Sequence, residues 1–183
     1  MFPSLALCLL LPLARAQGPA PGPLGVAQPT PACPSKCVCF RTTVRCMSVD
    51  LRDIPRVPAN TTILYLHYNR IESLPKDVFS DLVKLERLFL QNNKIHHLSS
   101  EAFKNLNVLQ RLRLDGNALV CDCEIMWLSH LLREKHMQSV HFAATCDQPE
   151  TMHGKNLSSI TEDDMHCSRH CFYSFNSFVS GFC

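Results

Sequence analysis

Apolar positions in the middle of the chain recur with a period of 24 residues. Leu64, Leu66, Asn69 and Ile71 form one copy, Leu88, Leu90, Asn93 and Ile95 a second, and Leu112, Leu114, Asn117 and Leu119 a third. Leu74 with Leu98, Phe79 with Phe103 and Leu82 with Leu106 keep the same register. In each copy the two leucines are two apart, so on an extended strand both side chains point to one face. The Asn follows where the chain must leave the strand. A buried turn there leaves backbone amides and carbonyls unpaired, and a carboxamide both donates and accepts. Stacked Asn residues are therefore expected to tie each coil to the next. The Phe and the second Leu are expected to fill the convex side. No single coil can bury its own apolar face, so the copies must stack.

A period in the twenties with the pattern L-x-x-L-x-L-x-x-N-x-L is that of leucine-rich repeats. It predicts an α/β solenoid: a short leucine-rich-repeat horseshoe with a parallel β concave face. Cysteine clusters flank the repeats where a solenoid's ends would otherwise expose core. Cys33, Cys37, Cys39 and Cys46 stand upstream, and Cys121, Cys123, Cys146 and Cys167 downstream. Four cysteines permit three pairings, and the spacing alone does not choose among them. Zinc is the other use for such clusters, but C-x-C is not the usual C-x2-4-C spacing, and an oxidising compartment favours disulfides. From Glu124 to Met137, Ile125, Leu128 and Leu132 recur at helical spacing with Trp127 and Leu131 alongside, which predicts a cap helix. Trp127, the only tryptophan, is expected to pack against the last repeat.

The chain's start and end change the picture in one respect, its compartment. Leu5 to Leu13 is apolar and closes on Ala14-Arg15-Ala16, a signal-peptide pattern with cleavage expected after Ala16. The run is too short to span a bilayer, and no later segment is long enough. Cleavage removes Cys8 and leaves ten of the 11 cysteines. Asn60-Thr61-Thr62 and Asn156-Leu157-Ser158 are N-glycosylation sequons. Gln17 to Ala32 carries five prolines and reads as an extended leader. The expected order is a signal peptide over 1–16, a Pro-rich leader over 17–32, an N-terminal cap over 33–60, three repeats over 61–120, a C-terminal cap over 121–167 and an aromatic tail over 168–183. The product is expected to be secreted, to the extracellular space or matrix. In the tail, Phe172, Tyr173, Phe175, Phe178 and Phe182 do not follow the repeat, and Cys171 and Cys183 have no assigned partners.

Formal net charge is +2, which does not argue for nucleic acid. Outward strand positions line a solenoid's concave binding face. Here they include Tyr65, His67, Arg87, Phe89, Arg111 and Arg113, with Tyr68 just beyond the first strand. Arg and aromatic residues dominate interface hot spots. Tyr65 and Phe89 are expected as exposed rings one coil apart. The expected partner is an extracellular or matrix protein. A sulfated glycosaminoglycan is a second class that Arg87, Arg111 and Arg113 suit, set against a simply solvated charged face. Nine histidines raise an enzyme or metal reading, but there is no H-E-x-x-H, no G-x-S-x-G and no phosphate loop. His96 and His97 are expected on a loop, and His130 and His136 on separate faces of the cap helix. No catalytic residue, metal site or cofactor is assigned, and no membrane span.

Three local strings carry a narrower resemblance: Cys39-Phe40-Arg41-Thr42-Thr43-Val44-Arg45-Cys46-Met47, Lys84-Leu85-Glu86-Arg87-Leu88-Phe89-Leu90, and Cys121-Asp122-Cys123-Glu124-Ile125-Met126-Trp127-Leu128. Over roughly Cys33 to Cys167 the chain resembles the amino-terminal region of the peroxidasin family. The caps resemble the flanking caps of extracellular leucine-rich-repeat proteins, which implies the pairs Cys33–Cys39, Cys37–Cys46, Cys121–Cys146 and Cys123–Cys167. The family continues into immunoglobulin-like and haem peroxidase domains and acts in the extracellular matrix. This chain departs from it at about Ser168 and carries fewer repeats. The resemblance therefore implies a short form, without the peroxidase domain and its activity, and no haem-binding or catalytic residue is carried over.

Overall fold

The computed structural model describes residues 32–133, 144–165 and 167. The signal peptide, nearly all of the Pro-rich leader, His136 with the end of the expected cap helix, and the aromatic tail with Cys171 and Cys183 lie outside the described residues.

Five short strands form one sheet: β1 (Val38–Phe40), β2 (Thr43–Arg45), β3 (Ile63–Tyr65), β4 (Arg87–Phe89) and β5 (Arg111–Arg113). β2 to β5 are parallel, and β1 adds antiparallel to β2 as a hairpin. The 24-residue period is the sheet register, since Leu64 pairs with Leu88 and Leu88 with Leu112. The sequence period marked only three of these strands. The N-terminal cap supplies two more, and its Val44 and Cys46 continue the interior rows of Leu64 and Leu66, all buried. Each fully buried leucine contributes about 1.5–3 kcal/mol of transfer free energy.

The Asn ladder closes each coil. Asn93 accepts from the Ile71 amide at 3.1 Å and donates to the carbonyls of Leu66 and Leu90 at 3.0 and 2.9 Å. Asn117 repeats this with Ile95, Leu90 and Leu114. Asn69 reaches back into the cap, accepting from Val49 and Leu51 and donating to Cys46 and Leu66. The residue before each Asn turns with positive φ: Tyr68 at 56°, Asn92 at 55° and Gly116 at 69°, with Ser48 at 57° one coil earlier. On the convex side Phe79 and Phe103 meet edge to face, their centroids 5.9 Å apart, and a 3-10 turn covers Ser100–Phe103.

The helical part of the architecture lies in the C-terminal cap. Asp122 caps a 3-10 turn over Cys123–Ile125 by accepting from the Glu124 amide, and the chain continues into α1 (Met126–Arg133). Met126 and Leu128 are buried, and Trp127 lies 5.2 Å from Phe103, against the repeats. Ser129 and Arg133 both donate to the Ile160 carbonyl. A two-stranded parallel sheet, β6 (Leu119–Val120) with β7 (Cys146–Gln148), joins the last coil to the cap. Disulfides link Cys33 to Cys39, Cys37 to Cys46, Cys121 to Cys146 and Cys123 to Cys167, the pairs implied by the resemblance. These bonds consume every cysteine among the described residues, so none offers a thiolate to zinc.

Candidate binding face

Because Val44, Leu64, Leu88 and Leu112 point inward, their neighbours on each strand point out. Register then sorts the outward side chains into rows that run across the sheet. One row is Phe40, Thr43, Ile63, Arg87 and Arg111. The next is Val38, Arg45, Tyr65, Phe89 and Arg113. His67 and Gln91 follow in the turns leaving β3 and β4. The six residues expected on the ligand face, Tyr65, His67, Arg87, Phe89, Arg111 and Arg113, thus share one face of one sheet.

The face differs from expectation at its centre. Phe89 is not an exposed ring: only 9% of it is accessible. Strand spacing sets the reason, since adjacent strands bring register partners within ring-stacking distance. Tyr65 and Phe89 stack at 4.6 Å with planes 7° apart, each covering the other. Arg45 lies over the open side of Tyr65, its guanidinium carbon 5.7 Å from the ring centroid, a cation–π contact. On the far side Arg113 is held by Asp115 through two bonds of 3.0 and 2.8 Å. The exposed aromatic surface lies instead at Phe40 and Tyr68, 64% and 60% accessible.

Two polar atoms near the stack are buried without partners, His67 Nδ1 and Gln91 Oε1. Burial, and then the Arg113 guanidinium, hold His67 below the ordinary histidine range, so the ring is neutral at neutral pH. Arg87 and Arg111 are exposed and form no ion pair among the described residues. Elsewhere, His96 and His97 are exposed, and His130 lies 3.1 Å from Arg133 and 3.7 Å from Glu162. No group of three or more His, Cys, Asp or Glu among the described residues is placed to hold a metal. Sequence reasoning missed Arg45, Val38 and Phe40. Their signal was the alternation of Val38-Cys39-Phe40 and Thr43-Val44-Arg45 on either side of a tight turn.

Fold, Asn ladder and terminal disulfides together define a capped leucine-rich-repeat protein. The leucine rich repeat family matches residues 59–119. The repeat region is a peroxidasin-like one. The chain is 36% identical to the human protein described as probable oxidoreductase PXDNL, across 74% of this chain and 14% of that one. It is 35% identical to the mouse peroxidasin homolog, across 75% and 14%. Human opticin is 42% identical over a shorter stretch, 28% of this chain and 16% of its own. Among solved structures, a chain from the octameric complex of Latrophilin 3, Unc5D and FLRT2, in which FLRT2 supplies the leucine-rich repeats, superposes with a TM-score of 0.53. It is 27% identical across 62% of this chain and 35% of that one. The chain therefore spans about one seventh of the length of the peroxidasin-like relatives. The alignment to the human relative runs over 211 positions but takes up 74% of 183 residues. The relative accordingly carries about 75 positions this chain lacks, the length of three 24-residue coils.

Proposed function

We propose that this chain is a secreted binding module of the extracellular matrix, that it engages a partner protein on the concave sheet face, and that it is not itself an enzyme. One observation carries the reading: the sheet register gathers Arg45, Tyr65, Arg87, Arg111 and Arg113 onto one continuous face with no described element covering it. Four disulfides suit an oxidising compartment, and no described helix is long and apolar enough to cross a membrane. The structural neighbour comes from a complex of several proteins, which agrees with a module built to bind. The test is solid-phase binding to decellularised matrix. Arg111→Ala and Tyr65→Ala are expected to weaken binding about 10-fold or more, while Lys104→Ala, away from the sheet, leaves it unchanged. Equal binding by all three removes the concave face from the reading.

The similarity to peroxidasin-like proteins covers about one seventh of their length, and we propose that the residues of this chain have no peroxidase activity of their own. Purified protein supplied with haem should then show no Soret band and no peroxide-dependent oxidation. Glycans are proposed on Asn60, exposed in a turn, and on Asn156, whose Oδ1 accepts from the Ser158 amide and hydroxyl. Glycosidase treatment of secreted protein should remove two glycans, and one each from Asn60→Gln and Asn156→Gln.

A further inference from the structure

Arg87 and Arg111 are direct register partners on adjacent parallel strands, about 4.8 Å apart, and both are exposed. Like charges set directly opposite one another are destabilising. Some surface cations find carboxylates among the described residues, as Arg70 does with Asp50, Lys104 with Glu101 and Lys155 with Asp164, and others, such as Lys76, Lys84 and Lys94, do not; what sets Arg87 and Arg111 apart is that they are register partners. On the face, Asp115 is already committed to Arg113, and Glu86, next to Arg87, forms no ion pair with either arginine among the described residues. The sheet therefore holds a cationic pair for which the described residues supply no ion pair.

The rest of that row, Phe40, Thr43 and Ile63, is uncharged, with the Arg41 guanidinium carbon 5.4 Å from the Phe40 ring centroid. Ile63 is half-buried and Phe40 largely exposed, with Val38, 66% accessible, beside it in the next row. From Phe40 to Arg111 the row crosses four strand spacings, about 19 Å, the reach of roughly six extended residues. One end takes an apolar side chain and the other takes carboxylates. A sulfated polysaccharide has no apolar side chain to cover Phe40, Val38 and Ile63, so the observations favour protein.

Resting on the concave-face reading, we propose that this row docks an extended acidic segment of a partner protein, about six residues long. Its carboxylates lie on Arg87 and Arg111, and an apolar side chain covers Phe40 and Ile63. The experiment uses the full secreted chain and fluorescence anisotropy with three probes: a labelled Phe-Val-Ser-Asp-Glu-Glu peptide, its Phe-Val-Ser-Lys-Lys-Lys counterpart and a heparin hexasaccharide. The acidic peptide is expected to bind with a Kd in the range of about 10–100 μM and to weaken about 10-fold in Arg87→Gln/Arg111→Gln. In Phe40→Ser it should weaken about 3-fold, and raised salt should weaken it in the wild type. The basic peptide should not bind. Near-native circular dichroism and intact disulfide maps show that the variants fold. No binding of the acidic peptide at millimolar concentration, or equal binding by the double arginine variant, overturns the proposal. Tighter, arginine-dependent binding of the hexasaccharide overturns it in favour of a polysaccharide. If the peptide fails while Arg111→Ala still loses matrix binding, the face stands and only the partner chemistry falls. If both are unresponsive, the concave-face reading falls as well.

Discussion

The interior of the coils and the concave face are built on the same strands, a single residue out of phase, yet they follow different rules. Inside the repeats, positions echo their neighbours one coil away, leucine over leucine at Leu64, Leu88 and Leu112 and Asn over Asn, with the backbone of the turns paired by Asn69, Asn93 and Asn117. On the face, the same register stacks arginine on arginine, buries Gln91 without a partner for its oxygen, and leaves a tyrosine in a left-handed turn. A sequence keeps local rules where stability is at stake and departs from them where another demand acts. The departures named here sit on one side of the sheet; one other, the unpartnered Nε1 of Trp127, lies in the C-terminal cap.

Variants of the interior should be costly, and variants of the face should not. The largest effect is expected for Asn93→Ala, which strips partners from the Ile71 amide and the Leu66 and Leu90 carbonyls; a loss of about 3–5 kcal/mol should appear in urea unfolding without reductant. A loss below about 1 kcal/mol would mean that water replaces the ladder and the contrast is weaker than drawn. Gly116→Ala comes next. A Cβ there would collide with Asn92 Oδ1, and φ is +69°, so about 1–3 kcal/mol should be lost in the same assay.

On the face the sign reverses. Tyr68 has φ of 56°, where Asn is tolerated far better than a bulky ring, and its own ring is 60% exposed. Tyr68→Asn should therefore stabilise the fold by about 0.5–1 kcal/mol while weakening matrix binding. Stabilisation with binding untouched would separate the strained turn from the contact surface. The smallest effect concerns His67, whose folded pKa lies below its unfolded value of 6.5. Its contribution is complete above about pH 6.5 and is lost as pH falls from there towards the lowered folded pKa. The melting temperature should drop less between pH 7.5 and pH 5 in His67→Gln than in the wild type, and an equal drop would show that the ring is not desolvated.

Most of the interior was legible in the chain because its rules are periodic: one register, read from Asn69, Asn93 and Asn117, places the strands and the ladder. The outward positions of β3 to β5 were legible, but not those of the cap strands, and exposure was not. That Phe89 is covered follows from its contact with Tyr65 across a strand spacing, a relation between side chains 24 residues apart that no local pattern encodes. The cap strands escaped because β1 and β2 are joined by a hairpin and β2 stands only 20 residues ahead of β3, off the period. The left-handed turns left a faint trace in Asn92 and Gly116, residue types that favour that conformation, which Tyr68 obscured.

The Asn ladder also makes the molecule a ruler. Since each coil meets the next through the same set of bonds, whole coils can be taken out and the remainder rejoined in phase, and each one removed shortens the sheet by one strand spacing. If the roughly 75 additional positions of the human relative are whole coils, its sheet is about 14 Å longer, room for roughly four more residues of an extended guest. On that reading, what would separate this chain from such a relative is the length of extended partner that fits along the sheet.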